Sequence, residues 1–264
     1  MLVVSISLMT NSMFAQGVYV SINTGYGFSA SSENTGTTYY NNNGSNVTTY
    51  SKEDYSFGKG LNFCGSIGYM FNKNIGAEIG YSYLTSDKTT LKSSFVNGTD
   101  VLDFSSSMSR ITPSIVIYSG MSGINPYAKF GMIIGSGSIT EKDNYTQNPN
   151  NWLTTMKLNG GMAFGLTASV GAEYKLSGKL SLFGELAMVN MSYAPTKGEI
   201  TAYTLNGINK MESLSTNQRL TDYVETYTLT DNQTTPETEP AKRLIQKFPF
   251  GSVGLNIGLK YNLK

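Results

Sequence analysis

The feature that most constrains how this chain can fold is a strict alternation between residues 156 and 176. Every even-numbered residue from Met156 to Leu176 is apolar or glycine, and the odd-numbered residues between them are polar or small. Successive side chains of a β-strand point to opposite faces, so a period of two predicts an extended strand with one apolar face. Strands of globular proteins usually have about 5 to 6 residues. We therefore interpret residues 156–176 as one unusually long strand.

The same alternation recurs along the rest of the chain. In each segment, residues of one parity are mainly apolar, and residues of the other parity are mostly polar, small or glycine. This pattern is typical of a transmembrane β-strand with one face toward lipid and the other toward a lumen. It is weakest in residues 180–194, where Phe183 and Val189 break it. The eight segments are residues 17–30, 57–71, 74–86, 103–119, 125–140, 156–176, 180–194 and 252–263.

The connections between these segments alternate between short and long. Residues 72–74, 120–124 and 177–179 are short and turn-like, whereas residues 31–56, 87–102, 141–155 and 195–247 are long and polar. This rhythm is typical of a barrel with tight periplasmic turns and long extracellular loops. We predict an all-β fold, an eight-stranded antiparallel up-and-down transmembrane β-barrel over residues 17–264, with a long loop at about 195–247. Within that loop, residues 199–206 and 221–229 are interpreted as a hairpin above the membrane.

Composition agrees with a membrane protein that has no spanning helix. Only 14% of residues are charged, against about 25% in soluble domains. The best uncharged run, residues 111–128, contains two prolines and two glycines that would break a helix. Besides the α-helix, the structure that provides a hydrogen-bond partner for every backbone N–H and C=O in lipid is a closed β-barrel.

The first 16 residues have the character of a targeting segment. The apolar run from Leu2 to Met9 is too short to span a membrane and resembles the core of a signal peptide, with a small residue for cleavage at Ala15. No Lys or Arg precedes Lys52, so we expect the true start to lie upstream of Met1. Residues 1–16 are therefore predicted to be a signal peptide.

Several functional classes are disfavoured by composition. The chain has no histidine and a single cysteine, which removes the common general base, the usual catalytic triads and zinc cages. Cys64 is interpreted as a gap-filling residue. The formal net charge of +1 gives no basic footprint for nucleic acid. We expect no enzyme activity, no cofactor, no metal and no nucleic-acid partner.

Five charged residues on inward-facing positions form the predicted site, a charge cluster in the lumen. Counted from the periplasmic ends of their strands, they share one level, and buried charges persist only when they are paired. We expect Lys129 to pair with Glu173 and Glu185 with Lys260, while Glu78 reaches across the lumen. Two interpretations stay open, a structural plug of ion pairs and a gate or proton path. The cluster is Glu78, Lys129, Glu173, Glu185 and Lys260.

Three sequence stretches carry a family resemblance: Gly-Tyr-Gly-Phe at 25–28, Asn-Pro-Tyr-Ala-Lys-Phe-Gly at 125–131, and the closing stretch 254–263. Together with the eight segments, they resemble the small outer-membrane β-barrel proteins grouped with the OmpA transmembrane domain and OmpX. The resemblance implies a monomer in the bacterial outer membrane, with its lipid and the barrel-assembly machinery as partners. Enzymes among such barrels use a histidine, which this chain lacks.

Two functions remain for a chain of this kind. In the first, the barrel anchors surface loops for adhesion, interaction or envelope integrity, with a host or matrix ligand. The fourth long connection, residues 195–247, far exceeds what a connection needs, and long loops on rigid scaffolds tend to carry function. In the second, the protein is a narrow porin-like pore for ions or small solutes. Side chains fill the interior of most eight-stranded barrels, so we favour the first function.

Overall fold

β-Strands make up most of the computed structural model, which describes residues 17–30, 35–41, 48–228 and 235–263. The predicted signal peptide lies outside the described residues. In chain order the strands begin with β1 (Gly17–Ser29), β2 (Thr35–Asn41), β3 (Thr48–Asp54), β4 (Gly60–Met70), β5 (Ile75–Ser86), β6 (Thr89–Phe95), β7 (Gly98–Tyr118), β8 (Ile124–Gln147) and β9 (Asn150–Asn159). They continue with β10 (Ala163–Lys175), β11 (Leu180–Tyr193), β12 (Lys197–Leu205), β13 (Ile208–Asn209), β14 (Leu220–Val224), β15 (Ala241–Leu244), β16 (Phe248–Pro249) and β17 (Ser252–Asn262).

The long strands pair in a closed circuit. All of its pairings are antiparallel, and they run β1–β4, β4–β5, β5–β7, β7–β8, β8–β10, β10–β11, β11–β17 and β17–β1. The last strand of the chain pairs with the first over eleven residue pairs, from Tyr19 with Asn262 to Ser29 with Ser252. The sheet therefore closes on itself and leaves no open edge along this circuit.

The expected total of eight strands is not what the structure shows, because the described residues contain 17 strands. Eight of them form the circuit, and seven of the other nine lie in the segments that were expected to be loops. The remaining two are β9, which overlaps an expected strand, and β16, which lies between the expected loop 195–247 and the last expected strand. One expected strand, residues 156–176, is divided into β9 and β10. Gly160 and Gly161 both have positive φ, at +74° and +71°, and this left-handed backbone interrupts the strand. The even-numbered face changes sides there, because Leu158 is 3% exposed whereas Phe164 is 60% exposed.

Two ends of the closed sheet differ in their connections. We call the end with the short connections at 71–74, 119–123 and 176–179 the turn end, and the opposite end the loop end. Side chains fix the short turns. The Asn72 Oδ1 accepts the backbone N–H groups of Asn74 and Ile75 at 2.8 Å each, and the Ser177 Oγ accepts that of Leu180 at 3.2 Å. Asn and Ser favour turns for this reason.

The outer face of the closed sheet is apolar. Side chains expected to face outward are exposed, with Ile22 at 66% and Phe130 at 59%. Such a continuous exposed apolar surface is characteristic of a lipid-facing wall. Members of this wall include Leu61, Phe63, Ile67, Ile79, Ile111, Ile115, Ile117, Met132, Phe164, Leu166, Val170, Leu186, Leu255 and Ile257. No helix among the described residues has the length and apolar character that crossing a bilayer requires.

Beyond the loop end, the sheet continues through the expected loops. There β6 pairs with residues 98–104 of β7, and β9 pairs with residues 139–147 of β8. β12 in turn pairs with β9. Residues 199–206 and 221–229 were expected to form one hairpin, but β12 turns back on β13 and meets β14 only at 197–199. β15 runs parallel to β14 at the margin of this sheet. A single turn of α-helix, Thr216–Arg219, and a 3₁₀ turn, Met211–Ser213, complete it.

Candidate functional site

The five residues of the predicted charge cluster all point into the closed sheet. Their side chains are only 8% to 14% exposed. They occupy the face of each strand opposite to the lipid-facing apolar residues, as the period-two alternation requires. The structure divides them into two groups rather than one.

The group nearer the turn end is a single ion pair. The Lys260 Nζ lies 2.9 Å from the Glu173 Oε2 and donates a hydrogen bond to the Tyr118 hydroxyl at 3.0 Å. The same ammonium lies 4.3 Å from the centre of the Tyr19 ring, close enough for a cation–π contact. Lys260 is thus enclosed by one carboxylate and two aromatic rings.

The second group places one lysine between two carboxylates. The Lys129 Nζ lies 3.2 Å from Glu78 and 3.4 Å from Glu185. Glu78 also accepts the Tyr19 hydroxyl at 3.0 Å. Glu185 also accepts the Tyr127 hydroxyl at 2.9 Å. Both carboxylates therefore have a cation and a neutral donor, which is the arrangement that makes buried charge tolerable.

The expected partners were wrong. The cross-strand neighbour of Lys129 on β10 is Ser169, four residues and about 13 Å along the strand from Glu173. In the same way Glu185 faces Asn256 on β17, four residues from Lys260. Strands in a barrel tilt and stagger, so residues counted equally from the turns do not share a level.

Arg110 is an interior cation that sequence analysis did not place in the site. It is 5% exposed, and its Nε donates to the Ser82 Oγ at 3.1 Å, while its Nη2 donates to the Asn62 Oδ1 at 2.5 Å. A cavity of about 100 Å³ lies between Arg110 and the Lys129 group. The signal in the sequence was parity, because Arg110 falls on the inward face, one position from the lipid-facing Ile111.

An apolar cluster, which we call the apolar cap, fills the interior at the loop end. Phe57 lies at its centre, with ring contacts to Tyr55, Phe104, Phe248 and Phe250 at 5.5–6.1 Å between centroids. The Ser56 Oγ donates to the Gly251 carbonyl at 2.6 Å, and the Phe57 N–H donates to the Pro249 carbonyl at 2.9 Å. Its buried members are Phe57, Leu84, Phe104, Met108, Ile133, Ile139, Leu158, Ala163, Met191, Tyr193, Phe248 and Phe250.

Sequence analysis missed the apolar cap because its residues come from separated parts of the chain. Phe57 lies just before β4, and Phe248 and Phe250 lie between the expected loop 195–247 and the last strand. Leu84, Phe104, Met108, Ile133 and Ile139 carried a local signal, since they occupy inward positions of alternating segments. The closing of the sheet brings these residues together.

Three carboxylates lie on the same face of β7 and β8 beyond the apolar cap. Burial raises the pKa of Asp143 to about 6, and the adjacent Asp100 carboxylate adds to the rise. Burial also raises the pKa of Glu141, although the charge of Arg243 opposes it. This set was not predicted. Among the described residues, no group of three or more Cys, Asp or Glu is positioned to hold a metal ion.

Comparison with known proteins identifies the closed sheet. A family model described as outer membrane protein beta-barrel domain matches residues 2–209, which include β1–β13. The closing strand, β17, lies beyond the matched range, yet it pairs with both β1 and β11. A comparison with curated proteins gives no match.

Proposed function

The chain belongs to the family of outer membrane protein beta-barrel domains, and from this premise we propose that it is a closed, non-enzymatic anchor for a surface-exposed β-sheet. In this proposal the circuit of eight strands crosses the outer membrane as an up-and-down barrel. The turn end lies in the periplasm and the loop end faces outside. The sheet beyond the loop end contacts host or matrix molecules.

The lipid-facing wall supports this placement. Exposed aromatic side chains gather near both of its ends, as in the aromatic girdles of outer-membrane barrels. Near the turn end they are Tyr69, Phe71, Tyr174 and Tyr261, and toward the loop end they are Phe28, Phe63, Tyr81 and Tyr83.

The observation that carries the proposal is the continuation of barrel strands into an ordered sheet. β7 has 21 residues and β8 has 24, whereas a strand needs about 9 to 11 residues to cross the bilayer. Their pairing continues without a change of register from Tyr118 with Tyr127 to Gly98 with Gln147. About ten residues of each strand thus extend past the membrane as a rigid scaffold for contact residues.

The tip of this sheet offers a contact surface. Three aromatic rings form a row, Phe95 on β6, Tyr145 on β8 and Trp152 on β9, with 5.5 Å between the ring centres of Phe95 and Tyr145 and 5.6 Å between those of Tyr145 and Trp152. The neighbouring Val96 is 54% exposed. Aromatic side chains are enriched in protein interfaces and supply large contact area.

A narrow pore is the alternative, and two observations favour it. One is the polar cavity of about 100 Å³ beside Arg110, and the other is a pocket of about 260 Å³ at the turn end, which Lys73, Lys175 and Lys260 help to line. Against it, the apolar cap fills the loop end, and the ion pairs and tyrosines lie between the two spaces.

Orientation is tested by labelling single cysteines in a Cys64→Ala background. Val96→Cys and Gly178→Cys are a matched pair, because both positions are exposed and a Cβ at Gly178 meets nothing within 4 Å. We expect a membrane-impermeant maleimide to label Val96→Cys on intact cells and Gly178→Cys only after the cells are broken. If Gly178→Cys alone were labelled on intact cells, the turn end would face outside and the proposed orientation would be wrong.

The contact role is tested with cells that display the protein. Cells with the wild type should adhere to at least one of immobilised mucin, fibronectin or laminin, whereas the triple variant Phe95→Ser, Tyr145→Ser and Trp152→Ser should lose most of that adhesion. A variant with three substitutions in the lipid-facing wall, Phe130→Leu, Phe164→Leu and Leu166→Ala, controls for barrel level at the surface. Equal adhesion by the wild type, the triple variant and cells without the protein would contradict the role.

A further inference from the structure

Two aspartates beyond the apolar cap lie against each other across neighbouring strands. Asp100 on β7 pairs with Tyr145 of β8, and Asp143 on β8 pairs with Leu102 of β7, so the two carboxyl groups share one face, one residue pair apart. A hydrogen bond joins them. Ionised carboxylates only accept hydrogen bonds, so this contact needs a proton on one of the two. The Oδ1 atom of each is buried and receives no hydrogen bond from an N–H or from a Ser, Thr or Tyr hydroxyl of the described chain.

The charge around this pair is mainly negative. Glu141 lies on the same face of β8, two residues before Asp143, and Arg243 of β15 is the cation whose charge acts on Glu141. Among the described residues, no ion pair within 4.0 Å includes any of the three carboxylates. The neighbouring titratable hydroxyls are those of Tyr55, Tyr145 and Tyr223. The lysines of the surrounding strands have the opposite parity and point away; they are Lys92, Lys142 and Lys157.

Protonation relieves this crowding, because it removes a negative charge and supplies a donor. Burial raises the pKa of Asp143 to about 6, and the charge of Asp100 adds to the rise. Burial raises the pKa of Glu141 in the same direction, and the charge of Arg243 does not reverse it. A carboxyl group whose pKa is raised by folding holds its proton more tightly in the folded state. Its contribution to stability is therefore largest in acid and declines as the pH rises from about 4 to above 6.

The outward face of the same strands sets the acid limit of this effect. Asp103 has a lowered pKa because Thr90 and Lys88 donate hydrogen bonds to it. A carboxylate of this kind stabilises the fold above its ordinary pKa of 3.8, and that contribution is lost only as the pH falls below about 4. Between about pH 4 and pH 7, the inward carboxyl groups therefore decide how the stability of this sheet changes with pH.

We propose that Asp100, Glu141 and Asp143 form an acid latch, which tightens the sheet beyond the loop end in mild acid and loosens it at neutral pH. In acid the shared proton keeps the hydrogen bond between Asp100 and Asp143, and this bond ties β7 to β8. As the pH rises, that proton passes to the solvent, and two carboxylates then repel each other across the strands. The acid latch depends only on groups within the sheet, so it acts whether or not the sheet contacts a host or matrix molecule.

Hydrogen exchange of the full chain in detergent micelles tests the acid latch, with each rate corrected for the intrinsic effect of pH on exchange. In the wild type, the opening constant of amides in residues 98–104 and 139–147 should be roughly tenfold smaller at pH 5 than at pH 7.5, the factor expected when folding raises a pKa from 3.8 to about 6. Asp143→Asn replaces the protonated carboxyl by a neutral donor, so protection should be high at both pH values. Glu212→Gln, which removes an exposed carboxylate from the 3₁₀ turn, should behave as the wild type.

A direct titration of the wild type keeps the test decisive if Asp143→Asn does not fold. With ¹³C-labelled aspartate carboxyl groups, one resonance should titrate with a midpoint of about pH 6. Asp100→Asn should move that midpoint toward the ordinary value, because it removes the neighbouring negative charge. The proposal would be overturned by equal opening constants of the wild type at the two pH values, by the full wild-type pH dependence in folded Asp143→Asn, or by the absence of any aspartate that titrates above pH 5.

Discussion

Lys129→Met should lower the free energy of unfolding by about 3 to 5 kcal/mol. The substitution removes the cation that lies within 3.4 Å of both Glu78 and Glu185, and breaking a buried pair leaves charge without compensation. Unfolding by urea in detergent, followed by circular dichroism, measures the change. Lys179→Met is the matched control, because that exposed lysine donates to the Leu263 carbonyl and lies 6.0 Å from the centre of the Tyr261 ring, with no carboxylate of the described chain in ion-pair contact, and surface changes usually stay within about 0.5 kcal/mol.

Double-mutant cycles distinguish the observed pairs from the ones expected from sequence. Lys260→Met and Glu173→Gln should show a coupling energy of about 0.5 to 3 kcal/mol, since the two groups lie 2.9 Å apart. Lys260→Met and Glu185→Gln should be additive, because Glu185 instead faces Asn256 across the strands. Coupling in the second cycle without coupling in the first would restore the sequence-based pairing.

Phe57→Ala should cost about 3 to 5 kcal/mol, the range for removing a large buried aromatic side chain. Phe57 is 1% exposed and lies at the centre of the apolar cap, so the variant leaves a cavity between the barrel interior and the sheet. The same denaturant titration measures it. Phe130→Ala, on the lipid-facing wall, should cost clearly less, because 59% of that side chain is exposed on the protein surface. Equal losses would mean that the apolar cap does not pack as described.

Most of the barrel strands could be predicted from the local periodicity of the sequence. Each outward residue of β4, from Leu61 to Tyr69, could be assigned from parity because the period of two follows directly from strand geometry. The division at Gly160 could not be predicted, since a glycine pair fits the alternation and only its positive φ interrupts the strand. The strands beyond the loop end could not be predicted either. Their outer faces carry polar residues, so the sequence there lacks the apolar alternation that marks the barrel strands.

The sequence predicted which charged residues face the barrel interior, but it did not predict which of them pair. Parity placed Glu185 and Lys129 inside, because polar positions alternate with lipid-facing ones. Pairing depends on the stagger between strands, which a residue count from the turns does not contain. The apolar cap depends on contacts between residues as distant in sequence as Phe57 and Phe250, and no local pattern encodes such contacts.

Conductance of the refolded wild type in planar lipid bilayers tests the central claim that the barrel is a closed anchor. The ion pairs of Lys129 and Lys260, together with the apolar cap, predict no channel steps above the noise of a protein-free bilayer. Phe57→Ala combined with Lys129→Met, if it remains folded, should introduce steps, because it removes a central side chain from each obstruction. Regular steps from the wild type, unchanged in that double variant, would contradict the account and favour the pore.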